Sequence, residues 1–122
     1  MIRLPKSTTS LEFKLDAAGT DVIANVFYYD VKARTKEDNS EYQGAWTGTA
    51  SAGTTETVIC AAPAANTVRN IDTISIYNGN VATRVVTIYI DDGGANTIQI
   101  VKSLTTGQHL IYDAGGAGWQ VL

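Results

Sequence analysis

Apolar and polar positions alternate with a period of two along most of this chain, the pattern of strands with one face turned inward. In SLEFKLD (residues 10–16), Leu11, Phe13 and Leu15 share one face, while Glu12 and Lys14 take the other. DVIANVFYYDV (21–31) is apolar over most of its length. From residue 54 the strands come quickly: TTETVICA (54–61), closed by Pro63, then NIDTISIYN (70–78), RVVTIYI (84–90), NTIQIVKSL (96–104), HLIYD (109–113) and WQVL (119–122). Turn signals separate them at NGN, DDGG, TTGQ and AGGAG. No window carries an apolar stripe at helical period. The pattern predicts an all-β fold of about eight strands, an antiparallel β-sandwich with jelly-roll-like topology. Val58, Cys60, Ile74, Ile76, Val86, Ile88, Ile90, Ile98, Ile100, Leu110 and Trp119 are its expected inward residues.

Charge divides the chain unevenly. Residues 1–45 hold thirteen charged side chains and residues 46–122 hold eight. The polar stretch KARTKEDNSEYQG (32–44) has no periodicity and reads as loop, and GTASAGTT (48–55) reads as a flexible connection. The expected organisation is an extended N-terminal arm or strand pair with its polar loop (1–45), a small-residue linker (46–53), and a compact β-sandwich module (54–122).

At 122 residues the chain has the length of one domain, and its 44% hydrophobic content suits a folded core. Only 17% of residues are charged, so hydroxyls and amides solvate much of the surface. A net charge of −3 argues against nucleic acid, and no apolar run approaches the roughly 20 residues of a membrane helix. MIRLPKSTTS lacks the apolar stretch of a secretory signal, and a lone Cys60 cannot form an intrachain disulfide. Synthesis in a reducing cytoplasm is the expectation.

Candidate chemistry is sparse. Asp91-Asp92-Gly93-Gly94 lies between two alternating runs, where Asp and Gly supply a hairpin corner; the alternative is a weak divalent-ion site, with only Asn96 following as a further oxygen ligand. His109 is the sole histidine, and no serine has the surroundings of a nucleophile. Cys60 ends an apolar strand and reads as a buried hydrophobe. DAGGAG (113–118) precedes no helix and is not a phosphate loop. A glycan hydrolase needs paired carboxylates, and Asp91, Asp92 and Asp113 all sit at turns. No catalytic residue, cofactor or metal is expected.

Residues 58–122 resemble a module common in tailed-bacteriophage virion structural proteins. The likeness is carried by AAPA (61–64), Arg69, ISIYN (74–78), VTIYI (86–90), the hairpin at Asp92-Gly93, Lys102, and LIYDAGGAGWQV (110–121). TTSLEFKLDAAGTDVIANVFYYDV (8–31) is similar to the start of such proteins: a Ser/Thr-rich opening, a Leu-Glu-x-x-Leu strand, and an apolar run ending in Tyr-x-Asp. The charged 32–53 region departs from the pattern.

The resemblance implies a non-enzymatic virion protein, assembled in the host cytoplasm. Its expected place is the capsid surface, as a decoration or cement protein bound to the major capsid protein, and its expected state is a homotrimer. The alternative is a tail or fibre component whose loops bind host surface or glycan. Mixed apolar and charged positions in the N-terminal part nominate Arg3, Leu11, Phe13, Lys14, Phe27, Tyr28, Tyr29, Tyr42 and Trp46 as the partner interface.

Overall fold

Each alternating run forms a strand, and short runs the pattern did not separate add others. The computed structural model describes residues 1–32 and 42–122, with ten strands and no helix among them. These are β1 (Ile2–Leu4), β2 (Thr9–Leu15), β3 (Val22–Lys32), β4 (Tyr42–Ala50), β5 (Thr57–Cys60), β6 (Thr67–Asn78), β7 (Arg84–Asp92), β8 (Ala95–Leu104), β9 (His109–Asp113) and β10 (Gly118–Val121). All pairings between them are antiparallel. A six-stranded sheet runs β10-β9-β6-β3-β4, with β1 also paired to β6; a four-stranded sheet runs β5-β2-β7-β8. The inward faces of both sheets contribute to one apolar cluster, including Leu11, Phe13, Val26, Ile74, Ile76, Val86, Ile88 and Leu110. The architecture is sandwich-like.

The N-terminal third is not an arm. β2 lies between β5 and β7, and β3 lies between β4 and β6, so both are interior strands. Leu11 and Phe13 are fully buried and cannot meet a partner. Their alternation with Glu12 and Lys14 reported a half-buried strand, and the charges beside them said nothing about which protein covers the apolar face. The expected 46–53 linker is also structured. Residues up to Ala50 belong to β4, and the following turn docks on the β2–β3 crossing: the Ser51 hydroxyl donates to the Gly19 carbonyl (2.8 Å) and the Leu15 amide to the Gly53 carbonyl (2.9 Å). Gly53 has φ +63°, and a Cβ there would stand 3.1 Å from Ala18 Cα, which explains a glycine at this contact.

Topology departs from the expected jelly roll as well. β3–β6 is nested inside β2–β7, one pair in each sheet, and that much is the expected folded ribbon. However, β3–β4, β7–β8 and β9–β10 are hairpins that stay within one sheet. A short turn returns the chain beside the strand it just left, which keeps both in one layer. The crossing from β6 to β7 is held by Asn78, a fully buried polar residue whose Nδ2 donates to the carbonyls of Ala82 (3.1 Å) and Leu104 (2.8 Å). Its Oδ1 accepts from the Asn80 amide (2.9 Å). The NGN turn signal is thus a buried corner with its hydrogen bonds made.

Three β-bulges decide which residues face outward. Between Leu11 and Glu12 the partner strand carries an extra residue, Ile59, so Cys60 faces inward opposite Leu11 and Val58 faces outward opposite Glu12. In β8 the extra residue is Gln99: Ile100 opposes the inward Ile88, whereas Ile98 opposes the outward Tyr89. Val58 (44% exposed) and Ile98 (63% exposed) therefore leave the expected core set. A period-2 reading has no means of seeing an inserted residue, and every side chain beyond it changes face. Asp72 is the third extra residue, opposite the Phe27–Tyr28 step of β3.

Because β2 and β3 complete both sheets, a fragment of residues 46–122 is expected to remain unfolded by circular dichroism. Phe13→Ala in the whole chain should cost about 3–5 kcal/mol in denaturant titration. A folded fragment would show that the interior strands are dispensable.

Candidate binding surface

The larger sheet turns one face away from the core, and its strand registers determine what lies there. Phe27 on β3 stands directly opposite Trp46 on β4. Their rings stack at 6.3 Å between centroids and 28° between planes, with Phe27 47% and Trp46 65% exposed. Two residues to either side of Trp46 on its own strand are Gly44 and Gly48, so no neighbouring β4 side chain covers the indole from those positions. A Cβ at Gly48 would come within 3.1 Å of Asn25 Oδ1, whereas one at Gly44 would meet only the Tyr28 carbonyl, at 3.9 Å. The pair borders a shallow depression of about 380 Å³ that Tyr29 and the bulge residue Asp72 also line. Asp72 is exposed, and its carbonyl accepts from the Ala114 amide (3.0 Å), which ties the bulge to the turn after β9.

The same face continues along the strands. Tyr29 opposes Asn70, and Asn70 opposes Arg3, whose Nε donates to Asn70 Oδ1 at 3.3 Å. Val31 opposes Val68, and these two line a second depression, about 230 Å³, with Arg3 and Asn70. Four of the nominated interface residues, Arg3, Phe27, Tyr29 and Trp46, thus lie on one sheet face although they come from three strands. At the far end Tyr77 packs against His109 with centroids 4.8 Å apart, so the lone histidine is part of an aromatic contact.

The remaining nominated residues lie elsewhere. Tyr28 is half-buried beneath Arg69, whose guanidinium carbon is 4.1 Å from the ring centroid. Lys14 is on the outer face of the smaller sheet. The backbone of Tyr42 opposes Val31 at the start of β4, and residues 33–41 of the nominated loop lie outside the described residues. Arg69 forms a two-pronged pair with Asp30 (Nε–Oδ1 2.8 Å, Nη2–Oδ2 2.9 Å) and donates through Nη1 to the Ala61 carbonyl (2.8 Å). That bond joins the larger sheet to the end of β5 in the smaller one, so Arg69 is a clamp between layers. Burial pushes the neighbouring Cys60 thiol up to about 11, against the opposing pull of Arg69, and Cys60 is held as the unreactive thiol.

Asp91 and Asp92 form a hairpin corner. Gly93 and Gly94 have φ +66° and +104°, and the Gly94 amide donates to Asp91 Oδ1 at 2.7 Å. The Asp92 carboxylate accepts from Thr8 (3.0 Å), Lys6 (3.2 Å) and Thr9 (3.3 Å), and these bonds, Thr8 first, hold it below its usual range. Among the described residues no three His, Cys, Asp or Glu side chains are grouped to hold a metal.

One polar pair was not anticipated. Glu12 and Tyr89 oppose each other on the outer face of the smaller sheet, yet they are only 8% and 2% exposed. Glu12 Oε2 and the Tyr89 hydroxyl are buried with no hydrogen-bond partner. Burial, then Asp91 and Glu56, raise the Glu12 carboxyl above its ordinary range, with the Tyr89 hydroxyl opposing. Alternation marked Glu12 as solvent-facing, and alternation within one strand does not register the burial found there.

No family model, curated protein or solved structure matches this chain.

The raised Glu12 carboxyl has a definite sign in stability. Below its unfolded value near 4.5 both states are protonated and nothing is lost; as pH rises through the higher folded value, ionising a covered carboxyl beside two others works against the fold. Glu12→Gln is expected to raise the thermal midpoint at pH 7, with the difference from wild type closing as pH falls toward 4.5. Parallel melting curves of both proteins from pH 4 to 8 test this, and a constant difference would remove the assignment.

Proposed function

We propose that this chain is a non-catalytic virion structural protein that decorates a phage capsid, docking the outer face of its larger sheet on the major capsid protein. The observation that carries the reading is the exposed Phe27–Trp46 stack on the same face as Tyr29 and Arg3. Aromatic anchors with a basic residue at the margin are the groups that concentrate binding energy at protein contacts. Although three hairpins stay within one sheet, the nested pairs β3–β6 and β2–β7 supply the folded ribbon that the jelly-roll-like reading of the strand pattern expects. Trimeric assembly belongs to the same proposal, because β4, β10, β5 and β8 each end a sheet and leave edges for neighbouring copies. On the shell, several shallow contacts per trimer would add through avidity.

A second reading has one observation in its favour. Asp72 lies beside the stacked rings in the same depression, and an aromatic platform with an adjacent carboxylate suits a sugar ring. The protein would then be a tail or fibre component that binds glycan.

Trp46→Ala and Gly44→Lys separate face from fold, one deleting the anchor and the other placing a side chain over the depression. Both are expected to melt within a few degrees of wild type and to bind undecorated heads of the encoding phage at least about tenfold more weakly. Unchanged decoration by both variants would overturn the docking face. Saturable binding to a host-surface glycan, lost in Trp46→Ala, together with no binding to heads, would establish the second reading instead.

A further inference from the structure

The outer face of the smaller sheet carries a polar site that the docking proposal does not use. Glu12 and Tyr89 oppose each other there on neighbouring interior strands. Both are more than nine-tenths buried, and Glu12 Oε2 and the Tyr89 hydroxyl make no hydrogen bond. Native structures rarely leave a covered carboxylate and a covered hydroxyl without partners, because each gives up water for nothing. Glu56, just before β5, and Asn96, on β8, come from opposite edges of this sheet, and the Asn96 amide nitrogen reaches Glu56 Oε1 at 3.3 Å. The contact spans the face on which Glu12 and Tyr89 lie. After burial, the charges of Glu12 and Glu56 raise the Tyr89 hydroxyl, and Asp91 and Glu56 act likewise on Glu12, so these groups share one electrostatic neighbourhood.

We propose that this cup is a binding site for the side-chain ammonium group of a lysine presented by a partner protein. Three acceptors, Glu12 Oε2, the Tyr89 oxygen and the remaining Glu56 oxygen, match the three donors of an ammonium group. The rim fits the rest of a lysine. Val58 opposes Glu12 and Ile98 opposes Tyr89, both apolar and exposed, so the aliphatic stem has surfaces to lie on. Lys14 shares the face but forms no ion pair with these carboxylates among the described residues. A metal ion suits the group less, since no three carboxylates here have metal-holding spacing. This face is opposite the one proposed to dock on the capsid, and the inference stands whether or not that docking is correct.

The test uses the whole chain, isotope-labelled and followed by amide chemical shifts during titration with acetyl-Gly-Lys-Gly-amide. Saturable shifts confined to the surroundings of Glu12, Glu56, Tyr89, Asp91 and Ile98 are expected. The norleucine analogue should produce none, and Glu12→Gln and Glu56→Gln should each weaken the peptide at least about tenfold. Should Glu12→Gln fail to fold, the exposed Glu56→Gln decides alone. Shifts spread over other acidic positions such as Asp16, Asp21 and Asp72, equal binding of norleucine, undiminished affinity in the variants, or displacement of the peptide by equimolar calcium would each overturn the site.

Discussion

The fold depends on two interior strands, β2 and β3, each of which must have neighbours on both sides. An interior strand exposes its backbone groups to pairing along two edges and its apolar side chains along one face, and only a complete sheet satisfies both. β2 obtains β5 and β7; β3 obtains β4 and β6. Since the chain passes directly from β2 to β3, and later from β6 to β7, the two sheets are joined by the same ribbon that builds their centres. The crossings at Asp16–Asp21 and Gly79–Thr83 meet where the Gly79 amide donates to the Asp21 carbonyl (2.9 Å). The Arg69–Asp30 pair, with its bond to Ala61, fastens the layers again near the end of β5.

This dependence explains why the strands were legible in the sequence while their roles were not. Leu11, Phe13 and Leu15 announced a half-buried strand, and the DDGG corner announced a hairpin, because both are local consequences of period-2 sterics and glycine φ. Whether that strand sits at an edge or in a centre is decided by residues more than seventy positions away, such as Ile88 and Ile90 opposite Phe13 and Leu11. Charge density was a misleading guide. Leu4, Leu11, Phe13, Val22, Ala24 and Val26, all in the charge-rich third, are fully buried.

Bulges account for most of the remaining disagreement. An extra residue at Ile59 or Gln99 costs a ladder position and reverses the faces beyond it, so Val58 and Ile98 went outward while Ile59 and Ile100 turned in. The effect on the surface is constructive. Two apolar side chains that a regular ladder would have spent on the core instead flank Glu12 and Tyr89. Likewise, the Asp72 bulge puts a carboxylate beside the Phe27–Trp46 stack. The aromatic residues of that surface were visible in the sequence as types, but their assembly on one face required the β3–β4 and β3–β6 registers.

The two outer faces are therefore chemically distinct products of one folding pattern. On the larger sheet, stacked rings and paired valines with few charges offer apolar area, where affinity comes from excluding water. On the smaller sheet, a covered carboxyl and a phenol beneath two further carboxylates lose water in the free protein already, and that loss is a standing cost to the fold. A group held at such a cost favours whatever charge neutralises it: a proton, as the raised Glu12 carboxyl shows, or a positively charged donor brought by another molecule. Proton and ammonium compete for the same oxygen. Acidification that relieves the fold at Glu12 must then weaken any cation held there, so stability and occupancy at this face move in opposite directions with pH.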